Sequence, residues 1–244
     1  MKLSIVIPSR NRANSITTAK LLKSAIVVCP ESQVEEYRKN VSNEIIAIPD
    51  AVEGLGKTRN YILDNFEDDI IVMADDDITY AKYIGGAHEK VITDPEELEF
   101  IIRNAAVMAT DAGVKCFGFA QTGDIRKYYP SQPFSFAGWV GGVIGVIGKE
   151  KSFIDNYFKV DVDFCLQCLL EDRIIFKDNR YCFVQVRDRN LGGNSMFRTK
   201  KLVEKEKQIL KNKWGKHIKF TATKTGDMCS IDVPRREKYS GVVY

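Results

Sequence analysis

Histidine is almost missing: two residues in a chain of 244. Structural zinc draws on paired Cys and His ligands, and with two histidines and no paired Cys framework a zinc-built fold is not expected. Six cysteines stand at positions 29, 116, 165, 168, 182 and 229. The Cys165/Cys168 pair has no second pair to complete a metal or disulfide framework. Several lie inside apolar runs (26–29, 164–170), which reads them as reduced core residues of a cytoplasmic protein. No apolar run approaches the ~18–20 residues of a membrane span. Leu3–Ile7 is too short for a signal-peptide core and reads as a first strand. Gly/Ser linkers, repeats and low-complexity tracts are absent as well. A secreted disulfide scaffold, a membrane protein and a disordered tail are therefore not expected. What remains is a globular chain, 44% hydrophobic and 28% charged, long enough to bury a core without staples.

Net charge is +3, but it is unevenly spread. Residues 1–197 carry 23 Lys/Arg against 28 Asp/Glu, and residues 198–244 carry 13 against 5. The balances, −5 and +8, describe a near-neutral body with a basic end. Such an end suits a polyanionic partner, although a solvated lysine-rich helix has the same composition.

Strand-like runs recur at Leu3–Ile7, Ala25–Cys29, Glu44–Ile48 and Ile70–Ala74, each bounded by turn-forming residues. Helical segments at Ser15–Lys23, Ser32–Asn40 and Lys57–Asn65 lie between them. This alternation predicts a parallel, doubly wound sheet. Asp94-Pro95 predicts the N-cap and first turn of a long helix reaching about Ala112. Further on come a strand at Cys116–Ala120, one or two strands over Trp139–Ile147, a short buried helix at Phe164–Leu170 and a strand at Tyr181–Val186. The last predicted element is an amphipathic helix, Lys200–Trp214. We expect one domain over 1–197, with 198–244 as a basic helix and tail packed on it.

The chemistry concentrates at three places. Asp75-Asp76-Asp77 follow the buried run Ile70–Ala74. Three adjacent carboxylates repel one another unless a cation neutralises them. In an extended chain Asp75 and Asp77 would face one site, with Asp76 turned away. Oxygen ligands of this kind suit Mg²⁺ or Mn²⁺, metals that commonly also hold substrate phosphates. An acidic turn capping the next element is the plainer alternative. The second place is Pro8-Ser9-Arg10-Asn11-Arg12, where a hydroxyl and two arginines at a strand's carboxyl end could hold a nucleotide's base, ribose or phosphate. The third is Gly54-Leu55-Gly56-Lys57-Thr58-Arg59-Asn60, a glycine turn opening a helix. Its free N–H groups, with Lys57 and Arg59, suit an anion. It lacks the spacing of a Walker A loop.

Taken together, these motifs resemble the nucleotide-sugar half of a GT-A glycosyltransferase. They match the Ile-Pro-Ser turn with its arginines, the Gly-to-Arg59-Asn60 segment and the Asp-x-Asp, in that order. The closer resemblance, over about residues 1–195, is to the TET-associated glycosyltransferases of phages, relatives of the family 2 enzymes. The resemblance implies an α/β, Rossmann-like, mostly parallel sheet with helices on both faces, here with a basic C-terminal helical appendage. It also implies a nucleotide-sugar donor (a UDP-hexose is favoured), a divalent metal on Asp75 and Asp77, and an acceptor such as 5-hydroxymethylcytosine in DNA. Donor contacts would come from Pro8, Ser9, Arg10, Arg12, Gly54, Lys57, Arg59, Asn60, Asp75 and Asp76.

The same resemblance assigns Asp161 as catalytic base, with Val160 where the family usually carries Glu. A positioned carboxylate suits the task, because an acceptor hydroxyl is a poor nucleophile until its proton is taken. Either Asp161 or Asp163 could instead cap the following helix. Arg126, Tyr128, Tyr129 and Phe136, interleaved on one loop, could stack bases and touch phosphates. Trp139 would form a wall of the same pocket, and Lys211, Lys213 and Lys216 would meet the DNA backbone. The glycine-rich stretch Arg187–Ser195 is expected to fold over the diphosphate, and His217 or Asn194 could add a metal ligand. Two rival classes are weighed. A nucleotidyltransferase usually opens on a Gly-x-Gly-x-Arg loop, which Pro8-Ser9-Arg10 is not. A non-catalytic nucleic-acid binder would need no acidic triplet.

Overall fold

The computed structural model describes residues 2–186, 193–197, 199–223 and 226–234. The first half alternates as expected. Strands β1 (Leu3–Pro8), β2 (Ile26–Pro30), β3 (Ile45–Ile48) and β4 (Ile70–Ala74) are separated by helices α1 (Thr18–Leu21), α2 (Val34–Arg38) and α3 (Leu55–Asn65). Then come β5 (Ile78–Tyr83), β6 (Lys90–Ile92), α4 (Pro95–Asp111), β7 (Cys116–Phe119), β8 (Phe134–Ser135) and β9 (Val143–Ile147). The chain closes with α5 (Val160–Glu171), β10 (Phe176–Asp178), β11 (Tyr181–Gln185), α6 (Lys200–Trp214), β12 (Ile218–Thr223) and β13 (Gly226–Ile231).

An eight-stranded sheet in the order β3-β2-β1-β4-β9-β7-β10-β8 forms the centre. Its first four strands are mutually parallel, and only β9 and β8 run against the rest. The two-residue period of a strand divides the core between its faces. Ile5, Ile7, Ile70, Val72 and Ala74 pack toward α4, while Val6, Ile71 and Met73 pack toward α3 and α5. The strand order reverses between β1 and β4. In open α/β sheets this switch point leaves a crevice beyond the strands' carboxyl ends, and here both acidic and basic loops open into it. A second sheet, β11-β5-β6, flanks the crevice.

Several elements depart from the sequence reading. The helix expected at Ser15–Lys23 shrinks to α1 because its start is engaged elsewhere. The Thr17 and Thr18 amides donate to the Asp76 carbonyl, and the Thr18 hydroxyl donates to the Asp75 carbonyl. The segment 32–40 divides into a 3₁₀ turn and α2. Only 143–147 of the run Trp139–Ile147 is strand; the preceding residues become a cavity wall. The helix placed at 164–170 begins earlier, at Val160. The long helix keeps its predicted cap, with Asp94 Oδ1 accepting from the Glu97 amide at 2.8 Å. The β12–β13 hairpin was not anticipated. Ile218, Phe220, Cys229 and Ile231 gather on Val162 and Leu166 of α5 and Leu210 of α6.

Among the described residues no helix is long and apolar enough to cross a membrane. All six cysteines are buried, and no disulfide links them among the described residues.

Candidate active site

A cavity of about 460 Å³ fills the crevice. Its lining takes in Pro8, Ser9, Arg10 and Arg12 after β1, Gly54 and Arg59 at the start of α3, Asp75, Asp76 and Asp77 after β4, and Trp139 and Asp161. Three segments far apart in sequence thus converge because each follows, or precedes, an element of the same switch point.

The acidic triplet does not continue β4, as the alternation argument assumed. Asp76 and Asp77 form a tight turn into β5, so each carboxylate finds its own surroundings. Asp75 meets Arg59 Nη2 at 3.3 Å through Oδ1 and accepts from Gln185 Nε2 at 2.5 Å through Oδ2. Asp76 is not turned away from the site. It accepts from Ser9 Oγ at 2.6 Å and Arg12 Nη1 at 2.5 Å, and it lines the same cavity. Among the described residues Asp77 has a single, looser ion pair, to Arg12 at 3.5 Å from Oδ2. Its Oδ1 is buried without a hydrogen-bond partner.

Electrostatics follow this geometry. Burial, then the charges of Asp75 and Asp76, push the Asp77 carboxyl up to about 6, with Arg12 pulling the other way. Burial raises Asp75 as well, opposed by Arg59 and reinforced by Asp161. Burial works against the Arg12 charge, but Asp76 and its neighbours outweigh it and hold the guanidinium above its ordinary pKa. Arg59 is 1% exposed, and its Nε and Nη1 have no hydrogen-bond partner among the described residues. The site therefore holds an unpaired carboxylate oxygen and unpaired guanidinium donors, all out of water.

No three His, Cys, Asp or Glu side chains among the described residues gather closely enough to enclose a metal alone. The donor set does fit Mg²⁺ or Mn²⁺ completed by substrate phosphates: all oxygen, with one buried oxygen left free on Asp77. His217 lies elsewhere, its Nδ1 2.9 Å from the Asp232 carbonyl. The stretch 187–192 and the Asn194 side chain lie outside the described residues.

Asp161 sits in the first turn of α5 and does not cap it. The residue before the helix is Lys159, in the left-handed conformation with φ 59°. Asp161 has no hydrogen bond or ion pair to a described residue, and it borders Gly141 so closely that a Cβ there would overlap its carboxylate. Asp163, by contrast, is fully buried and accepts from Trp214 Nε1 at 2.7 Å and Gln167 Nε2 at 2.7 Å, with Lys213 Nζ at 2.8 Å. Of the two carboxylates, only Asp161 opens on the cavity.

Other expected site residues fall outside the lining. Lys57 pairs loosely with Asp155 at 3.6 Å. Asn60 exchanges two hydrogen bonds with the Phe153 backbone, which docks α3 and offers a donor nothing. Arg126 chelates Asp124 beside a second, shallower groove. Tyr128 is half-buried, Tyr129 is exposed and Phe136 leans on Phe176. Lys211 lies 6.0 Å from the Phe220 ring, Lys213 is bound to Asp163, and Lys216 is exposed.

Sequence reasoning missed four groups. Gln185 grips Asp75 from β11, with no sequence signal to mark it. Tyr37 bonds Ser9 Oγ at 2.7 Å, and burial raises its phenol well above the ordinary value. Lys159 lies 5.5 Å from the Trp139 ring. Gly141 and Gly142 sat inside the glycine-punctuated run 139–147, and that punctuation was the available clue.

This fold, with an acidic turn after β4 at the switch point, is that of the GT-A glycosyltransferases. The structure of Mycobacterium tuberculosis glucosyl-3-phosphoglycerate synthase with Mn²⁺, UDP and glucosyl-3-phosphoglycerate is 14% identical, with TM-score 0.53 over 94% of this chain and 86% of that one. A structure described as a mycobacterial protein is 13% identical, with TM-score 0.52 over 94% and 83%. Staphylococcus aureus TarS 1–349 with UDP-GlcNAc is 17% identical, with TM-score 0.49 over 80% of this chain; this chain spans only 61% of its length. The model of the TET-associated glycosyltransferases matches residues 3–193, and the chain belongs to that family. No curated protein matches it.

Proposed function

We propose that this protein transfers a sugar from a nucleotide donor, a UDP-hexose, to a hydroxyl, with 5-hydroxymethylcytosine in DNA as the acceptor. The observation that carries the reading is the meeting, in one cavity, of the buried Asp77 oxygen with the Asp161 carboxylate, neither of which has a hydrogen-bond partner among the described residues. Family membership supports sugar transfer, and the UDP and Mn²⁺ bound to the mycobacterial synthase support the donor and metal by analogy.

In this mechanism Asp77 would hold Mg²⁺ or Mn²⁺, and Asp75, fixed by Arg59 and Gln185, would face the donor ribose. When bound, the metal would offset the charge that develops on the departing diphosphate. Ser9, Arg10 and Arg12 would contact the nucleotide, while Gly54 and the open N-terminus of α3 accommodate an anion beside Arg59. Asp161 takes the acceptor proton as the acceptor oxygen bonds to the anomeric carbon and the bond to the diphosphate oxygen breaks. Trp139 flanks that reaction. The basic C-terminal end supports a DNA acceptor, with Lys211 and Lys216 available to phosphates.

The test incubates the protein with hydroxymethylated or unmodified DNA, Mn²⁺ and a panel of nucleotide sugars, then weighs the nucleosides. We expect a hexose added to hydroxymethyldeoxycytidine, none on deoxycytidine, and loss of at least about 100-fold with Asp161→Asn. Transfer to a free saccharide or protein hydroxyl but never to hydroxymethylated DNA would remove the acceptor assignment. Release of sugar 1-phosphate, with the nucleoside monophosphate passed to the acceptor, instead of nucleoside diphosphate would mark a nucleotidyltransferase.

A further inference from the structure

The loop that delivers Asp161 is clamped from both sides, and one of the clamps is made by the C-terminal helix. On one side, the α3 residue Gly56 donates its amide to the Asn156 carbonyl at 3.0 Å, and Asn60 grips Phe153. On the other, Glu206 of α6, 5% exposed, accepts from the amides of Tyr157 and Phe158 at 2.9 and 3.0 Å. Two turns further along α6, Trp214 Nε1 and Lys213 Nζ hold Asp163. The α6 contacts therefore fall immediately before and after Asp161, at 157–158 and at 163. Between them the backbone passes through Lys159 in a left-handed conformation, which a non-glycine residue holds only when its surroundings enforce it.

We propose that Glu206 and Trp214 are positioning residues for Asp161, so that α6 is a brace of the active site as well as a basic surface. This inference rests on the reading of Asp161 as the base. A buried carboxylate is a costly choice for a helix that only needs to pack, whereas here both its oxygens are matched to backbone amides whose direction sets the entry into α5. A base misplaced by about 1 Å can cost on the order of 100-fold in rate, so the brace should appear in turnover more than in donor binding.

The experiment compares Glu206→Gln, Trp214→Phe and Asp161→Asn with the wild type, all as full chains. Glutamine keeps one acceptor oxygen but turns an N–H against the second amide; phenylalanine keeps the ring and loses the donor to Asp163. Transfer from UDP-glucose to hydroxymethylated DNA is measured alongside UDP affinity, and hydrogen exchange is followed over 155–165 and 70–80. We expect kcat to fall about 10-fold or more in both brace variants, with KM for UDP-glucose and UDP affinity unchanged. Exchange should quicken over 155–165 but not over 70–80. Unchanged exchange and unchanged kcat in both brace variants, beside an inactive Asp161→Asn, would overturn this inference alone. Wild-type turnover in Asp161→Asn would overturn the base assignment and the brace with it. A wild type inactive on this donor and acceptor would count against the proposed substrates, while unchanged exchange would still overturn the brace.

Discussion

At the residue scale, the three aspartates are chemically different although they are neighbours in sequence. Asp75 and Asp76 each have both oxygens engaged, while Asp77 keeps one buried oxygen without a partner among the described residues. Such a group weakens the fold in the absence of its ligand. The Asp77 pKa is raised from 3.8 to about 6, so its folded-state penalty is absent below pH 4 and grows as pH rises through about 6. We predict that Asp77→Asn stabilises the metal-free protein by about 1–3 kcal/mol at pH 8 and has no effect near pH 4. Thermal melts in chelator across that range check this; equal melting points at pH 8 would contradict it. The composition of the triplet and its place after a buried run were legible in the sequence. The partners that separate the three were not, because Gln185 reaches Asp75 across 110 residues and its strand carries no distinguishing pattern.

At the scale of elements, strands were more legible than helices. β1, β2 and β4 are largely buried on both faces and read as plain apolar runs, and the half-buried edge strand β3 has the same apolar composition. α1 and α2 were overestimated because helical composition says nothing about competing bonds, such as those Thr17 and Thr18 make to the acidic turn. α3 shows why its glycines matter in different ways. Gly54 adopts φ 102°, and Gly56 lies so close to the Ile154 carbonyl that a Cβ would overlap it. We predict that Gly56→Ala costs about 1–3 kcal/mol, as overpacking commonly does, despite alanine's better helix propensity. Denaturant unfolding measures this directly, and a stabilised variant would show that α3 does not rest on the 154–156 loop. The β12–β13 hairpin escaped notice because its alternation is short and interrupted by lysines and threonines.

At the scale of the whole molecule, the uneven charge of the sequence takes a definite form. Lys213 is an internal counterion for Asp163 and cannot be counted among the free cations. Lys205, Lys211 and Lys216 are exposed. Phosphate contacts release counterions, so replacing these three with glutamine should weaken binding to hydroxymethylated DNA and flatten its salt dependence, leaving UDP affinity unchanged. A salt slope identical to wild type would place the DNA on another face.

The central claim is that the cavity at the β1/β4 switch point binds a nucleoside diphosphate together with a divalent cation held by Asp77. Calorimetric titration of UDP into the wild type and Asp77→Asn, with Mn²⁺ or with chelator, tests it without reference to any acceptor. The account predicts that Mn²⁺ strengthens UDP binding to the wild type by at least about tenfold, or 1.4 kcal/mol, and that Asp77→Asn loses this gain. Equal UDP affinity in Mn²⁺ and in chelator, or a full metal effect in Asp77→Asn, would contradict it.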